Sequence, residues 1–189
     1  MKVLYITPFA PNHNCYFNSI YREGHDITLI TDDLTFHLQR FSVSSFESSS
    51  KKIIGPVFMG ILKKLAYKLN FSRKLNYFLI RKIDEAYANH LRNLKKEKFD
   101  IIISYKGLGL KYIDEFKKKG ATWIVEEVNT HPDFMHKIVA REANKIGLRV
   151  AKNIFSNNKV NKIKKAYEKS DFILCSSNHV YRTIKKRTK

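Results

Sequence analysis

Short apolar runs alternate with longer stretches of helical period along this chain. Lys2–Thr7 (KVLYIT), Ile27–Thr31 (ITLIT), Phe99–Tyr105 (FDIIISY), Ala121–Val125 (ATWIV) and Phe172–Cys175 (FILC) are rich in β-branched and aromatic residues. Near-continuous apolar runs of this length predict strands buried on both faces of a sheet. Asn12–Arg22 reads as a helix with Tyr16, Phe17, Ile20 and Tyr21 on its apolar side, and Gly24 supplies the left-handed exit. From Val57 to Lys98 the period is helical. Val57, Phe58, Ile61, Leu62, Leu65 and Leu69 share one face, with Lys63, Lys64 and Lys68 on another, which predicts a core-facing helix or, second to it, a helix lying on an anionic membrane. A break at Phe71-Ser72-Arg73 follows, with Ser72 placed to cap a second helix bearing Leu75, Phe78, Leu79, Ile83, Tyr87, Leu91 and Leu94. Leu110–Lys119 is a helix ended by Gly120. Basic helices run from about Asp133 to Lys169, broken near Ser156-Asn157-Asn158. Ser176-Ser177-Asn178 caps a last helix, His179–Lys186.

Strand, helix and strand joined by tight loops imply right-handed crossovers and parallel pairing. The expected fold is α/β: one Rossmann-like domain over residues 1–189, doubly wound, with a mainly parallel sheet of about five or six strands and helices on both faces. Between Asp32 and Pro56 the pattern is open, and Ile53-Ile54 reads as a short strand or a helix entry.

Composition narrows the class. The chain has 189 residues, 43% of them hydrophobic and 13% aromatic, which suits a packed core and not disorder. No apolar run approaches the roughly 18–20 residues that span a bilayer, and the expected location is cytoplasmic. Two cysteines are too few for a disulfide framework, so Cys15 and Cys175 are expected to pack as small hydrophobes. The net charge of +19 is uneven. Residues 51–98 hold 13 Lys and Arg against 3 Asp and Glu, and residues 137–189 hold 15 against 3, whereas 1–50 and 99–136 are slightly acidic. Such asymmetry predicts contact with an anionic surface, membrane or nucleic acid, or simply lysine-decorated solvent faces. No nucleic-acid motif accompanies it, so nucleic acid is the weaker partner.

Ligands of open α/β sheets bind at the carboxyl ends of strands. Three loops there carry chemistry: the first, with His13; Tyr105–Gly109, with Gly107 and Gly109; and Glu126–His131, with Glu126, Glu127, Asn129 and His131. Gly107-Leu108-Gly109 lacks the third glycine of a dinucleotide fingerprint, since Tyr112 stands there, and instead predicts a tight turn that lets a ligand approach the backbone. His131 and His136 beside two glutamates are too loosely spaced for a metal site, and no nucleophile elbow supports a triad.

Three segments resemble the retaining glycosyltransferases of family 4, which have the GT-B fold. Glu23-Gly24-His25-Asp26-Ile27-Thr28 resembles the close of their first βαβ unit. Ala166-Tyr167-Glu168-Lys169-Ser170-Asp171-Phe172-Ile173-Leu174-Cys175-Ser176-Ser177 is similar to their E-x-x-x-A-D-x-I segment, with Ser170 in place of Ala. Val125–Pro132, with Glu142 eleven residues after His131, is similar to a strand leading to a His and a Glu-bearing helix. Two departures stand out. The first loop reads Pro8-Phe-Ala-Pro-Asn-His13 where glycines are usual, and no Glu-x7-Glu pair occurs.

The resemblance implies the acceptor-side half of a two-domain enzyme, its C-terminal nucleotide-sugar domain absent here or supplied by a complementing chain. It implies transfer of a hexose with retention from a UDP- or GDP-linked donor, a substrate and not a cofactor, to a glycan or lipid-linked acceptor. His131 matches the His that hydrogen-bonds the donor sugar; Glu126 or Glu127 would orient it or meet acceptor hydroxyls. An anionic membrane is the further expected partner. The competing class is a basic binding module without catalysis.

Overall fold

The computed structural model describes residues 1–8, 19–20, 23–32, 52–69, 73–148 and 157–185. In chain order the elements are β1 (Lys2–Ile6), β2 (Asp26–Ile30), β3 (Lys52–Ile54), α1 (Val57–Lys68), α2 (Arg73–Leu94), β4 (Ile101–Tyr105), α3 (Leu110–Lys117), β5 (Thr122–Glu127), α4 (Pro132–Lys145), α5 (Asn157–Lys169), β6 (Phe172–Cys175) and α6 (Asn178–Lys185). The strands form a six-stranded sheet in the order β3-β2-β1-β4-β5-β6. β1 pairs in parallel with β2 and β4, β2 with β3, and β5 with β6. Ser72 and most of the expected Asn12–Arg22 helix lie outside the described residues, as do His13 and Cys15. Ile20 is described, and it packs on the core of Val3, Tyr5, Ile27 and Leu29.

Backbone contacts divide the chain into two compact units, Met1–Trp123 and Ile124–Lys189. In the first, β1 and β2 are buried along nearly their whole length, as their unbroken apolar runs require. α2 contributes Leu79, Ile83, Tyr87, Leu91 and Leu94 to the core, a helical stripe matching the sequence period. Trp123 is fully buried, and its indole N–H donates to Ser104 Oγ at 2.8 Å, which satisfies the one polar atom of the side chain.

α1 overturns the expected core face. Among its described side chains Gly60 and Ala66 are buried, whereas Phe58, Leu65 and Leu69 are exposed and Ile61 and Leu62 half-buried. The cause is a close crossing. A Cβ at Gly60 would lie 1.9 Å from the carbonyl oxygen of Asp32, and one at Gly55 would lie 1.8 Å from that of Thr31. A helix start pressed this tightly on the end of β2 can turn only small residues inward.

The second unit is built on β5 and β6. β5 runs on through Glu126 and Glu127, two residues beyond the expected end at Val125, and both acids are buried. They are therefore strand residues and not part of a polar exit loop. α5 begins at Asn157, at the expected break near Ser156-Asn157-Asn158, and a further interruption follows Lys145. α4 stops before Ile146, and Gly147, at φ 70°, reverses the chain while Leu148 N–H donates to Ala143 O at 2.9 Å. On α6, Val180, Thr183 and Ile184 face inward, and Ser177 Oγ caps the helix by accepting from Val180 N–H at 3.3 Å.

Candidate functional site

The polar residues at the end of β5 and just beyond it form a network within the second unit. Glu127 points a carboxylate into the interior, where each oxygen meets a donor. Asn129 N–H donates to Oε1 at 2.9 Å and the Tyr167 hydroxyl, from α5, to Oε2 at 2.7 Å. A buried carboxylate is tolerable only with such partners. The adjoining strand shares the load: Ser176 N–H donates to the Glu127 carbonyl at 3.2 Å and Ser176 Oγ–H to the Val128 carbonyl at 3.1 Å.

His131 stands at the junction of this network with α4. It is the helix N-cap, with Nδ1 accepting from Asp133 N–H at 3.2 Å, followed by Pro132 at the first helical position. Its own N–H donates to Thr183 Oγ at 3.1 Å, and that hydroxyl donates in turn to Val180 O at 2.7 Å. The ring lies 5.8 Å from the Tyr167 ring and is 1% exposed. With Nδ1 an acceptor, the proton of the neutral ring sits on Nε2. Tautomer and orientation are thus set by α4, α5 and α6 together. Asp133, 2.8 Å from Lys164 Nζ, draws a cation to the same helix start. Thr130 Oγ is buried with no hydrogen-bond partner among the described residues.

Cys175, paired in register with Glu127, is half-buried, and its thiol is pushed above the ordinary range, first by burial and then by the Glu127 charge. A thiol so placed is a poor nucleophile. Among the described residues no three His, Cys, Asp or Glu side chains gather so as to hold a metal ion.

In the first unit the Tyr105–Gly109 turn leaves β4 through Lys106, Gly107 and Gly109, all at positive φ. The amides of Leu108 and Leu110 donate to Tyr105 O and Gly107 O, so they are engaged within the turn. A Cβ on Gly109 would lie 2.8 Å from Leu91 Cδ1, so this glycine answers to packing of α2. Tyr105 is half-buried, with Lys106 Nζ 5.3 Å from its ring centre.

No local pattern marks Tyr167 and Thr183 as partners of Glu127 and His131, which lie 40 and 52 residues away from them. Nor did it mark a second constellation at the ends of β1 and β2. There the hydroxyl of Tyr87 lies 2.9 Å from Asp32 Oδ1 and 3.1 Å from Thr7 O, and accepts from Asp32 N–H at 2.9 Å. Burial, then the Asp32 charge, hold this phenol far above its usual range. An inward-facing Tyr among apolar residues was the only available signal.

The fold is Rossmann-like α/β, of the kind that forms one half of a GT-B architecture. Solved structures show the likeness. The UDP complex of UGT89C1 from Arabidopsis thaliana matches with a TM-score of 0.55 at 14% identity, over 100% of this chain and 50% of that one. UGT73P12 from Glycyrrhiza uralensis, complexed with glycyrrhetinic acid 3-O-monoglucuronide, gives 0.54 at 14% identity over 100% and 46%. A UGT transferase from Siraitia grosvenorii in complex with UDP gives 0.53 at 9% identity over 99% and 48%. The chain spans about half the length of these proteins. No family model and no curated protein sequence matches it.

Proposed function

We propose that this chain is the acceptor-side half of a glycosyltransferase that uses a nucleotide-linked hexose. The supporting observation is the likeness of the whole chain to half of three such structures, two of them holding UDP. Membership of family 4, and with it retention at the anomeric carbon, rests on the three sequence segments, since a shared fold does not distinguish retention from inversion. A UDP-linked donor agrees with the nucleotide in those complexes, and a GDP-linked one remains the alternative under test. The donor would be held mainly by a second domain, and the acceptor, a glycan or lipid-linked sugar, by this one. His131 would hydrogen-bond the donor sugar, as the family resemblance implies, its position fixed by α4, α5 and α6, because positioning and electrostatics supply most of the rate in such transfers. Glu126, Glu127 and Asn129, with His13, Tyr105, Gly107 and Gly109, are the proposed substrate-side residues.

The test joins the chain to its native continuation or to a complementing donor domain. UDP- and GDP-hexoses are then screened for nucleotide release in the presence of acceptors. Release with one donor and a product retaining the anomeric configuration are expected; an inverted product removes the family assignment, and no release with any donor removes the transferase. The 189 residues alone should show no turnover. His131→Ala should lower kcat by about 10²-fold or more. His131→Asn replaces the capping Nδ1 with a capping oxygen, so it separates the two roles: kcat restored along with stability would leave His131 a purely structural cap. The second reading, a basic binding module, draws on the +19 charge. It predicts a salt-dependent DNA shift that persists at physiological ionic strength.

A further inference from the structure

We infer that the turn after β4 recognises an acidic sugar, with Lys106 meeting its anionic group, a carboxylate or a phosphate. The segment reads Tyr105-Lys106-Gly107-Leu108-Gly109-Leu110-Lys111-Tyr112, so a lysine beside a tyrosine stands at each end of the two glycines. Lys106 is held where a lysine is costly. At φ 47° it is the one non-glycine residue with positive φ among the described residues. Lys106 and Gly107 are the central pair of the turn that Leu108 N–H closes onto Tyr105 O. A pair with two positive φ values usually takes Asn, Asp or Gly. A β-carbon there costs stability, and a residue kept at such a cost points to a task for its side chain.

Place and chemistry name the ligand. The chain leaves β1 for β2 and β3 on one side and returns to β4 on the other, so the strand order reverses between β1 and β4. Open α/β sheets take ligands in the crevice outside such a switch point. Ile6 and Ser104 are the last pair of the β1–β4 ladder, which puts Tyr105 and Lys106 just past it. The turn is stiff: Leu110 N–H closes a second bend onto Gly107 O, and Gly109 is pressed on Leu91 of α2. Lys106 is half-buried with Nζ 5.3 Å from the Tyr105 ring centre, and Lys111 Nζ lies 5.5 Å from that of Tyr112. An aromatic ring offers an apolar face to the C–H side of a pyranose, and an ammonium beside it suits a charge on the same sugar. The first turn of α3 brings no acidic residue to repel that charge. A neutral sugar would cover the ammonium without an ion to replace its water, so charge gives the selectivity. Calling this sugar the acceptor rests on the transferase reading; the binding itself does not.

The experiment titrates the isotope-labelled full chain with glucuronate, glucose 6-phosphate, glucose and inorganic phosphate, following the backbone amides of Gly107, Leu108 and Gly109 by NMR. Saturable shifts at about millimolar ligand are expected with glucuronate, with glucose 6-phosphate or with both, and the arm that responds names the anion. Glucose and inorganic phosphate should bind about tenfold more weakly or less, since each lacks one half of the match. Lys106→Met should weaken binding of the acidic sugars by about tenfold or more, and Lys106→Arg should keep most of it. Lys106→Gly separates recognition from backbone strain. It should lose the same affinity while raising the urea midpoint by about 0.3–0.5 M, because glycine takes φ 47° without strain. Fluorescence of Trp123, the single tryptophan, reads that midpoint and checks that every variant folds. No shift at the turn with either acidic sugar overturns the inference. So does an equal response to glucose or to inorganic phosphate, or affinity unchanged in Lys106→Gly. Binding is read on the chain itself, so these outcomes stand apart from turnover and from any failure of the transferase reading.

Discussion

Replacing Tyr87 by Phe deletes one oxygen from the interior of the first unit and almost nothing else. That oxygen carries a single hydrogen, so it donates either to Asp32 Oδ1 or to Thr7 O, while accepting from Asp32 N–H. At least two bonds are therefore made at once, and the Thr31 hydroxyl is a further partner of the same oxygen. A buried neutral bond contributes about 1 kcal/mol net, and one to a carboxylate about 1.5–3 kcal/mol. Tyr87→Phe should thus destabilise the unit by about 2–4 kcal/mol. With a urea slope of about 2 kcal/mol/M, the midpoint falls by roughly 1–2 M. Trp123 is the only tryptophan and is fully buried in the same unit, so its fluorescence reads this transition directly. The pH dependence gives a second signature. The folded phenol is raised above its ordinary value of 10.0, so its contribution is intact below pH 10 and is lost as pH rises beyond it, when the unfolded chain ionises first. At pH 11 the parent should have lost about 1.4 kcal/mol that Tyr87→Phe does not lose. A urea midpoint within about 0.2 M of the parent, or parallel alkaline profiles, would refute the network as described. Asp32→Asn, combined with Tyr87→Phe in a double-mutant cycle, isolates the coupling between the two side chains.

Gly60→Ala should cost about 3 kcal/mol or more, read by the same fluorescence midpoint, because its Cβ would overlap the Asp32 carbonyl; a neutral result would mean that α1 can move off the end of β2. His131→Ala should lose about 1 kcal/mol from its vacated cap, beyond any effect on turnover, and His131→Asn should recover most of it in thermal melts. Cys175 should alkylate only as pH climbs above the ordinary thiol range, followed on its own peptide by mass spectrometry. Glu127→Gln should bring that onset down, since the carboxylate beside the thiol is one cause of the shift; an unchanged onset would leave burial as the sole cause.

What the sequence determined by itself follows from periodicity. Five strands were legible as apolar runs, FILC at Phe172–Cys175 to the residue; β1 and β2 are buried on both faces as such runs require, whereas Phe172 and Leu174 of β6 are exposed, which overturns the expected two-sided burial there. The α2 stripe and the caps of α6 were legible because helical spacing and capping chemistry are local. Tertiary structure decided the rest. Glu126 and Glu127 looked like a strand end because charged residues seldom lie inside, and they lie inside here, Glu127 with donors from Tyr167 and Asn129 that no local pattern announces. The outward turn of Phe58, Leu65 and Leu69 was hidden for the same reason. Periodicity shows that a helix has an apolar face, but only the packing of Gly60 on the Asp32 backbone fixes which face is buried. His131 was marked by its place after a strand, whereas its burial, tautomer and tie to Thr183 depend on side chains brought from far along the chain. Local sequence sets what each segment prefers, and contacts between distant residues settle which of those preferences are met.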